Sequence, residues 1–85
     1  MALADSIREF ANEYYIQPAR ERGERQFTIH AGDIHSEMGL HARLPAVCAA
    51  LGANKFEDHY AVRRLSVDGP LNGANCVLTF EIRRP

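Results

Sequence analysis

Four histidines, His30, His35, His41 and His59, and two cysteines, Cys48 and Cys76, are the residue types here that can ligate a metal or act as acid, base or nucleophile. Their spacing argues against that chemistry. No two histidines stand four apart, as a helical metal site requires, and the cysteines lie far apart in sequence. Asp33, His35 and Glu37 would share one face of a strand. The Ile34/Met38 spacing and the stop at Gly39 favour a helix instead, on which His35 points away from the other two. There is no glycine-rich phosphate loop, nucleophile elbow or setting for a catalytic cysteine. The expectation is a protein that is not an enzyme and takes no cofactor or metal. Its cysteines read as two reduced, buried thiols in a cytoplasmic protein, although sequence alone leaves a disulfide between them open.

The remaining chemistry is anion binding. Nine of the ten basic residues are arginine, a set suited to phosphate or carboxylate forks, though genomic base composition gives the same skew. The formal net charge of −1 argues against a strongly basic nucleic-acid binder. The charge is uneven, however. Over residues 31–59, Arg43 and Lys55 are outnumbered by Asp33, Glu37, Glu57 and Asp58. Over residues 60–85, Arg63, Arg64, Arg83 and Arg84 outnumber Asp68 and Glu81, and Arg20, Arg22 and Arg25 outnumber Glu21 and Glu24.

The elements that must position these residues follow from hydrophobic period. At 85 residues, 46% hydrophobic and 25% charged, the chain has the balance of one small globular domain spanning 1–85. No apolar run is long enough to cross a membrane, and Asp5 spoils a signal peptide. Leu3, Ile7, Phe10 and Tyr14 predict a first helix that ends near Gly23, interrupted at Pro18 with Gln17 pushed towards an extended conformation. Phe27 and Ile29 mark a short strand. Ile34 and Met38 mark a helix stopped by Gly39. Leu44, Val47, Cys48 and Leu51 mark another that starts near Pro45 and stops at Gly52. Residues 54–59 read as loop or weak helix. Residues 61–67 read as a strand with Leu65 and Val67 on one face, and Cys76, Leu78, Phe80 and Ile82 give the cleanest half-buried strand. Phe10, Tyr14, Phe27 and Phe80 are expected in the core.

Helix, strand, two short helices around the turn glycine of Ala31-Gly-Asp-Ile-His-Ser-Glu-Met-Gly-Leu40, then a hairpin: this order resembles the winged helix-turn-helix superfamily from Leu3 to Ile82. The resemblance implies an α+β fold of three helices with a small antiparallel sheet and a C-terminal hairpin wing. The helix-turn-helix would span about 31–52 and the wing about 61–83. It departs from the family at His35, where a small residue is usual, and in a turn about two residues longer, through His41-Ala-Arg-Leu44. It implies a partner, double-stranded DNA, and a role as transcriptional regulator or accessory DNA-binding factor. The contacts would be mainly Arg–phosphate, through His41, Arg43, Lys55, Arg63, Arg64, Asn72, Asn75, Arg83 and Arg84. The second short helix offers only Ala46, Ala49, Ala50 and Ala53 beyond Arg43, a face poor in base-reading groups. That face, or the first helix with Tyr15, would equally serve a protein partner or a homodimer, so the alternative is an interaction module that binds no DNA.

Overall fold

A computed structural model describes residues 2–69, 73 and 75–83. The chain begins as α1 (Leu3–Ala11), runs without a break through a π-helical segment (Asn12–Ile16), and continues as α2 (Gln17–Glu21). Pro18 accounts for the wide turn. It has no N–H to give to the carbonyl four residues back, and its ring would strike that carbonyl in an ordinary α-turn. The Gln17 N–H reaches back five residues, to Asn12, which is the π pattern. The expected extended conformation at Gln17 is therefore corrected: its φ of −59° and ψ of −47° are helical. The turn also rotates the helix face. Ile7, Ala11, Ile16 and Ala19 are buried, whereas Tyr14, expected in the core, is 56% exposed. Tyr15 turns inward in its place, packs against the core and donates its hydroxyl to Glu37 Oε1 at 2.9 Å. Burial, then that bond, push the Tyr15 phenol up to about 12.

Gly23, at φ +72°, closes this helix, and β1 (Gln26–His30) leads directly into α3 (Ala31–Glu37). After a turn come α4 (Leu44–Gly52) and α5 (Asn54–Tyr60), then β2 (Val62–Asp68) and β3 (Val77–Ile82). The three strands form one antiparallel sheet in the order β1-β3-β2. Leu78, Phe80 and Ile82 alternate inward as their period requires, joined by Ile29 and Val62. β2 is found where a strand is expected, but a register shift between Arg64 and Ser66 leaves Leu65 as an extra residue and breaks the alternation that would put Leu65 and Val67 on one face; the two are 41% and 36% exposed.

α5 is more than the expected weak helix or loop. Phe56 is fully buried, sits edge-on to Phe80 at 5.2 Å, and meets Tyr60 one turn on at 5.6 Å. Neither α4 nor α5 has a side-chain cap at its start. Their last carbonyls are met by arginines from elsewhere. Arg8 Nε donates to Ala50 O at 2.9 Å and Arg64 Nη1 to Gly52 O at 2.7 Å, while Arg20 Nη2 donates to Tyr60 O at 2.8 Å. Cys48 and Cys76 are free, buried thiols, and burial together with its Cys48 neighbour raises the Cys76 thiol.

Candidate nucleic-acid interface

α3, the turn after it and α4 carry the residues that face solvent as one unit. α3 ends at Met38 and Gly39, with φ +68°, and the Leu40 N–H returns to His35 O at 3.0 Å. Residues 41–43 then run exposed up to Leu44. Ala42 holds a left-handed φ of +52°. Arg43 is the N-cap position of α4, and its own N–H donates to His35 Nε2 at 3.1 Å. Among the described residues no hydrogen bond or ion pair engages the side chains of His41 or Arg43. Two exposed basic side chains thus stand at the positive end of a helix dipole, an arrangement that attracts phosphate or carboxylate.

The alanine face of α4 is smaller than the sequence implied. Ala50 is 1% exposed, pressed where Arg8 reaches its carbonyl, so it cannot belong to an outer surface. Ala46 and Ala53 are half-buried, which leaves Pro45 and Ala49 outermost on the helix. The outer side of α4 therefore carries no hydrogen-bonding side chain after Arg43.

The other nominated residues scatter. Arg63 pairs with Glu81 at 3.2 Å across the strands. Arg64 is engaged twice: its side chain on Gly52 O, and its backbone N–H on Glu57 Oε1 at 3.1 Å. Lys55 lines an open groove of about 640 Å³ between α1 and α5, among Asp5, Glu9 and Asp58. Asn75 is exposed beside Gly69 where β3 is about to begin, and Arg83 follows β3 at its other end. The six residues of β3 hold those two ends roughly 20 Å apart. Asn72 and Arg84 lie outside the described residues. Arg25, which sequence reasoning did not nominate, lines a shallow cleft with Arg83. Nothing in its spacing marked it, because only the antiparallel pairing of β1 and β3 brings it there.

Asp33, His35 and Glu37 turn to three different partners: His30 at 3.9 Å, Arg43 and Tyr15. Among the described residues no group of three histidines, cysteines or carboxylates is gathered for a metal ion, and no helix is long and apolar enough to cross a membrane. Comparison of the chain with family models, curated proteins and solved structures finds no match.

Proposed function

We propose that this chain is a winged-helix DNA-binding module that grips the phosphate backbone with little base reading, through the turn and first residues of α4. One observation carries the proposal. The short helices α3 and α4 pack against each other and against α1, with α3 following directly on β1 of the three-stranded sheet, and the two basic side chains at the α4 N-terminus, His41 and Arg43, are exposed and unengaged. In a winged helix the second short helix enters the major groove by that end. The small outer residues Pro45 and Ala49 suit close approach to a surface and offer a base at most an apolar contact with a thymine methyl. A role in transcription regulation belongs to the same proposal.

The test is a salt series of binding titrations with random and selected duplexes. Affinity is expected to fall with salt, by a slope of about 1–2 for contacts through Arg43 and His41, and to differ little between sequences. Absence of binding at low ionic strength would overturn the reading, because phosphate contacts are strongest there. Arg43→Ala is expected to lower the salt slope by about 1 if the guanidinium meets a phosphate, or to cost about 1–3 kcal/mol at one sequence position if it forks a base.

A specific observation favours a second reading, an interaction module of the same shape. Arg63 and Arg64, expected on the DNA, have partners inside the protein, and Lys55 sits among carboxylates. That reading predicts a stable protein complex on co-purification and no duplex binding in the same preparation. The exposed Leu65 and Val67 of edge strand β2 are the contact surface it would use.

A further inference from the structure

The turn that carries His41 and Arg43 is held by a titratable acceptor. His35 projects from α3, and its Nε2 accepts the Arg43 backbone N–H at 3.1 Å. A ring nitrogen accepts only when it carries no proton, so the bond requires neutral His35 with its hydrogen on Nδ1. The backbone it holds is not at rest by itself. Ala42 sits at φ +52°, a conformation that side chains with a Cβ rarely adopt, and α4 has no side-chain cap to fix its entry. We propose that His35 is a positioning residue for the α4 anion site: neutral, it fixes Arg43 in place to meet a phosphate, and protonated, it releases the turn.

The ligand in this inference rests on the DNA reading, but the latch itself belongs to the free protein. α3 packs against β1, α4 and α1. The charged or titratable groups on those elements are His30 on β1, Cys48 on α4, and Asp5, Arg8 and Glu9 on α1. Asp33 and Glu37 lie on α3 itself, and Tyr15 reaches α3 from the π-helical segment. Asp33 and Glu37 face His30 and Tyr15, and Arg8 faces Asp5 and the α4 carbonyl. His41 and Arg43 share the turn with His35. A charged His41 would strengthen any anion contact, whereas release of the latch weakens the share of Arg43. The two effects have opposite signs and can be separated.

The first measurement follows the Arg43 amide and the His35 ring by NMR from about pH 8 to pH 5, the range of histidine titration. The amide resonance is expected to move with the same midpoint as the ring, and to become flat in His35→Gln, which keeps an acceptor that does not titrate. An Arg43 amide that ignores the His35 ring would overturn the latch, whether or not the variant folds. The second measurement is the ratio of duplex Kd values for Arg43→Gln and the unaltered chain, which cancels the contribution of His41. A ratio of roughly tenfold on the alkaline side of the midpoint measured for the His35 ring is expected to shrink on its acid side, and to stay constant in the His35→Gln background. An equal ratio on both sides of that midpoint in the unaltered chain would overturn the positioning role. If the unaltered chain binds no duplex at low salt, the DNA reading fails, and the amide titration alone then decides the latch.

Discussion

Arg8, Arg20 and Arg64 serve carbonyls at the ends of α4 and α5 that no neighbouring side chain reaches. The final carbonyls of a helix have no partner within it, and neither Gly52 nor Tyr60 is followed by a residue whose side chain could serve them. The guanidinium groups supply charge-assisted hydrogen bonds and add a cation to the negative end of each dipole. Their value depends on how far water is excluded. The Arg8 side chain is only 11% exposed, so Arg8→Ala is expected to cost about 2 kcal/mol. Arg64 is exposed, and Arg64→Ala is expected to cost about 1 kcal/mol or less. Urea unfolding of the two variants checks the order; a larger loss at Arg64 would contradict it. The arginine-rich composition was legible in the sequence, but which arginines remain available to a partner was not. Arg8, Arg20 and Arg64 are engaged by carbonyls 42, 40 and 12 residues away, and no local pattern encodes such partners.

At the level of elements, period and punctuation carried most of the information. The strict alternation of β3 and the stops at Gly23, Gly39 and Gly52 placed their elements within a residue or two. The errors fell where one residue is added to a regular pattern. The π turn before Pro18 inserts a residue into the first helix and exchanges Tyr14 for Tyr15 at the core. The bulge at Leu65 does the same to β2. Hydrophobic period presumes an uninterrupted repeat, so it fails beyond such a point. The hairpin depends on one close approach. Gly69 has φ +85°, and a Cβ there would run into the backbone carbonyl of Asn75. Gly69→Ala is therefore expected to destabilise by more than about 2 kcal/mol, through strain and the displacement of Asn75 together. Gly39 has φ +68° but open space around it, so Gly39→Ala is expected to cost only about 1–2 kcal/mol. Thermal denaturation of the pair distinguishes them, and equal losses would refute the contact argument. Any loss of duplex binding in Gly69→Ala beyond its loss of stability would implicate the hairpin in the interface.

Across the whole molecule, the core is one cluster in which Phe56 of α5 is wedged against Phe80 of β3. Phe56→Ala is expected to cost about 3–5 kcal/mol, a large part of the stability of so small a domain. Tyr14→Ala, on an exposed ring, is expected to cost under about 1 kcal/mol. Of the expected core residues Phe80 is fully buried and Phe10 and Phe27 pack against the cluster, whereas Tyr14 does not; a larger loss of denaturant midpoint for Tyr14→Ala than for Phe56→Ala would restore Tyr14 to the core. The net charge of −1 also changes meaning at this scale. It averages over arginines that serve the fold, a lysine among carboxylates, and a free Arg43 beside His41 at one helix end. By itself the sequence determined the order of helices and strands, the inward face of β3, and the short helix pair with its glycine turn, because local period and turn chemistry act within a few residues. Only the tertiary structure decided that Phe56 is core, that Ala50 is covered, that Arg63 and Arg64 are occupied, and that His35 holds the backbone of Arg43. Each of those depends on contact between residues that are neighbours in space and separated along the chain, where burial and hydrogen-bond satisfaction override local preference.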